Sequence, residues 1–145
     1  MALIEWQHDR RALILPVVLL PPPTAPNASF SIRTRGLLDT GATSSGIRGD
    51  VAAELGLRRK GQRRVDTANG TIIAAEYLLR VGFVCGDLSD SDFVSDQQMP
   101  FVLEGPILGF ELQTGFNYPV LIGMDVIGQA DLVLRRNGTA TMSFG

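Results

Sequence analysis

Cysteine, histidine and tryptophan are scarce in this chain of 145 residues, which holds one of each. A single cysteine, Cys85, excludes an internal disulfide and gives no support for an oxidising compartment. With His8 as its sole imidazole, the chain cannot assemble the usual thiolate and imidazole cage around a zinc ion. A Cys-His or Ser-His-Asp nucleophile would have to recruit His8 from near the N-terminus, which disfavours that chemistry. A surplus of one charge is also missing. Lys and Arg total 13 against 15 Asp and Glu, a net charge of −2 with a sequence pI near 5.3. The molecule as a whole therefore lacks the basic footprint of a nucleic-acid binder.

Long apolar runs are lacking too. The run Ala12 to Leu20 is too short for a membrane span. Arg10 and Arg11 ahead of it, and Ala28 behind, give it the outline of a secretory signal. Pro16 inside the run and Pro21, Pro22 and Pro23 directly after it favour a strand, Leu13 to Leu20, turned outward at a sheet edge. Together with the lone cysteine this sets the expectation of a cytoplasmic protein.

What remains is an ordinary globular mixture, 45% hydrophobic and 19% charged, of a length that suits one domain spanning residues 1–145. Most of it reads as short strands between turn residues. Ser29 to Arg35 alternates apolar and polar residues and runs on into Gly36-Leu37-Leu38-Asp39. Val51 to Leu57 is the best helix candidate, with Asp50 as N-cap and Gly56 as stop. Asn69-Gly70 sits between two strand-like runs, a strong hairpin signal. Thr71 to Val84 makes a long second arm that crosses the core. Gly86 to Gln98 is a polar, acidic loop or insertion. Phe101 to Leu103 and Pro119 to Asp125 continue the buried strands, and Val126-Ile127 form one helical turn. A last strand pair, Asp131 to Leu134 and Thr139 to Phe144, flanks Asn137-Gly138. Many short strands with one short helix imply an all-β barrel or folded sheet.

One acid stands out. Asp39 ends an apolar strand and is followed by Thr40, Gly41 and Ala42, all small. A carboxylate at the end of a buried strand is costly unless it is hydrogen-bonded or paired. Two such carboxyls about a hydrogen bond apart share one proton. One then acts as general base on a bound water and the other as general acid, with no need of metal, cofactor or covalent intermediate. Thr40 can lock the turn, Gly41 admits close backbone approach, and Thr43 or Ser44 can donate to the outer carboxylate oxygen.

Leu37-Leu38-Asp39-Thr40-Gly41-Ala42, the hairpin at Asn69-Gly70 and the later Leu121-Ile122-Gly123 resemble, in order, the retropepsin-like aspartic proteases. The style is nearer to cellular or bacterial members than to viral ones. The resemblance implies a closed, all-β retropepsin-like barrel with a flap hairpin, and an aspartic endopeptidase acting on peptide or protein substrates. The chain has one Asp-Thr-Gly triplet, since Asp66-Thr67 is followed by Ala68. The resemblance therefore implies a homodimer in which Asp39, Thr40 and Gly41 of each subunit meet on the two-fold axis. It also implies that Ala42, Ala68, Asn69 and Gly70 bind the substrate as an added strand, and that Asp125 braces the fold. In viral relatives both chain ends interleave into a dimer sheet, a role that Thr139 to Phe144 can fill here.

A rival reading is a dimeric peptide-binding or scaffolding module that kept this fold without useful turnover. Other signals are weaker. Arg48-Gly49-Asp50 spells an adhesion tripeptide but lies where the helix begins. The basic cluster Arg58, Arg59, Lys60, Arg63 and Arg64 reads as a solvated turn, and no nucleic-acid partner is expected. Asp87, Asp90, Asp92 and Asp96 lack the spacing of a calcium loop. Cys85 reads as a small apolar side chain.

Overall fold

The computed structural model describes residues 2–84, 86–87 and 100–145. Strand propensity and turn residues divide the chain much as the sequence does. The first strands are β1 (Ala2–Gln7), β2 (Leu13–Leu20), β3 (Ile32–Leu38) and β4 (Gly46–Arg48), followed by α1 (Gly49–Glu54). The long hairpin is β5 (Arg59–Thr67) and β6 (Gly70–Val84). After it come β7 (Gly86–Asp87), β8 (Pro100–Val102), β9 (Ile107–Leu112) and β10 (Val120–Ile122). The chain finishes with α2 (Met124–Ile127), β11 (Ala130–Leu134) and β12 (Thr139–Phe144). The architecture is all-β with two short helices, the second being the turn expected at Val126-Ile127.

Eight strands form one sheet in the order β2-β3-β10-β4-β9-β6-β5, with β8 also on β6. Because β6 also pairs with β2, the sheet closes on itself through β2-β3-β10-β4-β9-β6. The 15-residue length of β6 makes this closure possible. Its first half pairs with β5 and β9, and its second half with β2 and β8. A second sheet, β11-β12-β1-β7, packs against the first. Phe144 of β12 stacks on Phe83 of β6 at 5.4 Å between ring centroids and meets Phe101 at 5.3 Å. Aromatic pairs of this kind contribute about 0.5–1.5 kcal/mol beyond the area they bury. Trp6 and Ile4 of β1 fill the same interior, at 2% and 0% exposure.

Several local expectations are corrected by pairing that sequence spacing does not reveal. β2 has the expected bounds but is not an edge, since β3 lies on one side and β6 on the other. Pro16 is tolerated because pairing with β6 begins one residue later, at Val17. The strand expected from Ser29 starts instead at Ile32. The helix begins at Gly49, and Asp50 is not its cap. The Asp50 carboxylate is held by both Arg48 Nε and Nη2, at 2.9 Å each. That bidentate pair draws the Asp50 carboxyl below its usual range. Gly56, with φ 68, ends the helix as expected. The basic cluster lies largely on β5 rather than in a turn; Arg63 bonds Glu76 Oε2 at 2.6 Å.

The largest correction concerns the C-terminal strand. β12 pairs with β1 on one side and β11 on the other. Both its edges are satisfied within the chain, so it has none to offer a dimer sheet. Cys85 and most of the acidic stretch, including Asp90, Asp92 and Asp96, lie outside the described residues. Among the described residues no helix is long and apolar enough to cross a membrane.

Candidate active site

Three short strands lie side by side, β3 parallel to β10 and β4 antiparallel to it on the other flank. Residues 39–45 must therefore bridge from β3 to β4 over the end of β10. Two leucines, Leu37 and Leu38, pair with Leu121 and Ile122 and carry the strand to its last buried position. Asp39 follows at once. Its N–H donates to Ile122 O at 2.9 Å, which extends the ladder by one bond.

The turn is then closed by its own backbone. Asp39 Oδ1 accepts the Gly41 N–H at 2.8 Å, and Asp39 O accepts the Ala42 N–H at 3.1 Å. This is an Asx turn, in which a short acidic side chain replaces a backbone acceptor. A Cβ on Gly41 would stand 3.2 Å from that same Oδ1, so any larger residue there crowds the carboxylate. Among the described residues the Gly41 N–H is the donor that reaches the Asp39 side chain; the hydroxyls of Thr43 and Ser44, expected to do so, do not. Thr40 is exposed, with no side-chain bond inside the turn.

Behind the turn lies a brace. The Met124 N–H donates to Ala42 O at 2.8 Å and the Asp125 N–H to Thr43 O at 3.2 Å. Ser45, 1% exposed, donates through Oγ to Asp125 Oδ1 at 2.7 Å and through its N–H to Oδ2 at 3.0 Å. Ser45 Oγ in turn accepts the Gly123 N–H at 3.0 Å. Gly123 passes so close that a Cβ would lie 2.7 Å from the Ser44 carbonyl and 2.9 Å from Ala42 O. Both oxygens of Asp125 are thus engaged in holding the turn. Ser45 was not singled out from the sequence. Only its burial reveals it, because a serine among Thr43, Ser44 and Gly46 carries no periodic signal.

Asp39 is half-buried and opens into a cavity of about 470 Å³. Leu13, Leu37, Leu38 and Leu134 make its apolar floor. His8, Arg10 and Arg11, from the loop between β1 and β2, form a polar rim, cationic at the two arginines, that the sequence did not connect with Asp39. That loop is held in shape by Asp9, whose Oδ1 accepts the Arg11 and Ala12 N–H groups at 2.8 and 2.9 Å. The hydrogen bond from Ala12 and then that from Arg11 lower the Asp9 carboxyl below its ordinary range. Arg10 has φ 69, the one positive value outside glycine among the described residues.

The β5–β6 hairpin projects away from the barrel. Thr67 pairs with Gly70, and Ala68 and Asn69 form the tip, all three of Ala68, Asn69 and Gly70 exposed. Thr67 Oγ1 donates to Gly70 O at 2.7 Å and accepts the Asn69 N–H at 3.2 Å. Gly70 carries the left-handed backbone, φ 116, which is why glycine suits this place. Asp66 does not supply a second acidic turn, because its Oδ1 accepts the Thr71 hydroxyl at 2.8 Å inside the hairpin. Among the described residues no group of His, Cys, Asp and Glu is arranged to hold a metal.

A family model described as aspartyl protease matches residues 30–126. That span exceeds half the chain and runs from the start of β3 to α2. The chain belongs to the aspartyl protease family. A crystal structure of a retropepsin-like aspartic protease from Rickettsia conorii aligns with this family member at a TM-score of 0.61 and 18% identity. The alignment covers 98% of this chain and 90% of that one, so the two share the retropepsin-like fold. Comparison with curated protein sequences gives no significant match. Family and fold together support a protease-type function.

Proposed function

We propose that this aspartyl protease family member is an endopeptidase whose general acid and base are two Asp39 carboxyls, one from each subunit of a homodimer. The observation that carries the reading is the Asp39 turn itself. A half-exposed carboxylate is fixed by the Gly41 N–H and faces a cavity with an apolar floor. Asp125, the nearest acid in the brace, already has both oxygens occupied by Ser45. A second carboxylate must then come from a second copy.

Two carboxyls within hydrogen-bond reach share one proton. The ionised one accepts a proton from a bound water as the water oxygen attacks the peptide carbonyl carbon. The protonated one donates its proton to the carbonyl oxygen, giving a neutral tetrahedral diol. Collapse of the diol returns a proton to the dyad from one hydroxyl, while the leaving nitrogen takes up the other proton as the C–N bond breaks. The Gly41 N–H holds the carboxyl in register for this exchange, with Thr40 beside it in the same turn. Substrate lies extended as an added strand, bonded by backbone groups in the Gly41–Ala42 region below and at Ala68, Asn69 and Gly70 of the hairpin above. Closure of the hairpin excludes water from the bond being cut.

The test is cleavage of a mixed peptide library by wild type and by Asp39→Asn, from acidic to neutral pH, with pepstatin-type inhibition alongside. The expected result is cleavage that is pepstatin-sensitive and absent from the variant. A variant that still cleaves refutes the assignment of Asp39. No cleavage by a wild-type protein shown to be dimeric supports the binding-module reading in its place.

A further inference from the structure

The loop between β1 and β2 ends beside the acid. β2 enters its ladder with Leu13 opposite Leu38. Arg11 and Ala12, which come just before Leu13, therefore arrive next to Asp39 and Thr40 at the mouth of the cavity. The loop is built to stay there. The His8 N–H donates to Gly138 O at 2.8 Å, which pins the start of the loop to the β11–β12 turn. His8 Nδ1 accepts the Arg10 N–H at 3.0 Å, and Asp9 Oδ1 takes the Arg11 and Ala12 N–H groups. Between these bonds Arg10 is held at φ 69. A left-handed arginine is strained, and such strain persists only where the surroundings fix it.

This fixed loop presents two charges with no partner of their own. Arg10 and Arg11 are both exposed, and among the described residues neither guanidinium lies in a hydrogen bond or an ion pair. Asp9, the acid of the loop, spends Oδ1 on the loop's own N–H groups. Each subunit thus brings two arginines to a dyad that carries one negative charge in all, so the cleft keeps a positive surplus. The surplus borders an apolar floor of Leu13, Leu37, Leu38 and Leu134. In an extended peptide, residues two apart point to the same face, about 6.5–7 Å from each other. A side chain on the floor therefore has its same-face neighbour at the rim, and a guanidinium is a planar fork that matches a carboxylate.

We propose that Arg10 and Arg11 select the substrate, which is a peptide with an apolar residue at the cut bond and an aspartate or glutamate two residues away. The apolar side chain sits on the leucine floor, and the carboxylate meets the two guanidinium groups. This rests on the endopeptidase reading of Asp39 and adds the chemical class of its substrate.

The test uses two pairs of fluorescein-labelled peptides with one apolar cut residue. Each pair carries Glu or its isostere Gln, either two residues before the cut residue or two after it. The assay runs at about pH 6, where a free Glu is ionised. The expected result is a kcat/KM about fivefold higher for Glu than for Gln in one of the pairs, expressed in KM and shrinking in about 0.5 M salt. The double variant Arg10→Gly, Arg11→Gln should bring that ratio to about one. Glycine suits the left-handed backbone, and glutamine keeps the N–H that Asp9 holds, so the loop keeps its shape. A wild-type ratio near one in both pairs, or a ratio that survives the double substitution, overturns the proposal. Anisotropy of the same peptides with Asp39→Asn, alone and combined with the double substitution, separates the two readings. If wild type cleaves neither peptide, yet Asp39→Asn binds Glu over Gln in an arginine-dependent way, the catalytic reading fails and the selection stands. Cleavage without preference for Glu leaves the catalytic reading intact and sinks the selection; neither cleavage nor binding sinks both.

Discussion

Replacing Ser45 by alanine should cost about 3 kcal/mol of stability, although the change deletes one oxygen atom. The serine is 1% exposed, and its hydroxyl serves two partners at once. It donates to Asp125 Oδ1 at 2.7 Å and accepts the Gly123 N–H at 3.0 Å. A hydrogen bond to a charged group is worth about 1.5–3 kcal/mol, and an orphaned buried donor costs about 1–3 kcal/mol. The first figure belongs at its low end, because Asp125 keeps the Ser45 N–H at 3.0 Å and is only part-buried. The second applies to the Gly123 N–H, which is buried and has no other acceptor among the described residues. The sum is about 3 kcal/mol, or a fall in Tm of about 6–12 °C for a chain of this size. Urea unfolding at matched protein concentration measures it, with an unchanged m-value showing that the unfolded state is the same. A loss below about 1 kcal/mol would mean that the hydroxyl is an ordinary surface-like donor and that the brace does not hold the turn.

Three further outcomes follow from the same geometry. Gly123→Ala drives a Cβ to within 2.7 Å of the Ser44 carbonyl; backbone cannot rotate away, so the variant should lose about 1–3 kcal/mol or more and its peptide cleavage, and wild-type stability by urea unfolding would refute the contact. Tyr77 is raised above the usual phenol range, first by burial and then by its 2.7 Å hydrogen bond to Glu111. Its contribution is complete below about pH 10 and is lost as pH rises through the folded value, so Tyr77→Phe should flatten the decline of stability in alkali. Cleavage should be faster on the acidic side of neutral, where the dyad keeps its shared proton; a rate that climbs from pH 5 to pH 8 would contradict that mechanism.

Local patterns were legible in the sequence where local physics decides them. Leu13 to Leu20 reads as a strand because apolar residues fill it and prolines close it, and the structure gives the same bounds. Gly56, Gly70 and Gly138 punctuate turns because each takes a positive φ. The partners of those strands were not legible. Nothing in LILPVVLL says that β6 will cover its second side, and nothing in TATMSF says that β1 returns from the far end of the chain to cover β12. Pairing across such distances is set by the closure of the whole sheet. The acidic turn at Asp39 was visible because its small residues are adjacent. Ser45 and the loop of His8, Arg10 and Arg11 were not, because they meet the turn through packing alone.

That packing ties the turn to α2. The Met124 and Asp125 N–H groups hold Ala42 O and Thr43 O, and the Gln129 side chain returns to Asp125 O at 2.9 Å. Whatever restrains α2 therefore restrains the residues that follow Asp39. The expected consequence is measurable by amide exchange. If assembly of the two Asp39 turns tightens this brace, exchange of the Met124 and Asp125 N–H groups should slow as protein concentration rises through the dimerisation midpoint. If both amides keep their monomer rates, assembly and the geometry of the acidic turn are independent, and dimerisation would then act only by supplying the second carboxyl.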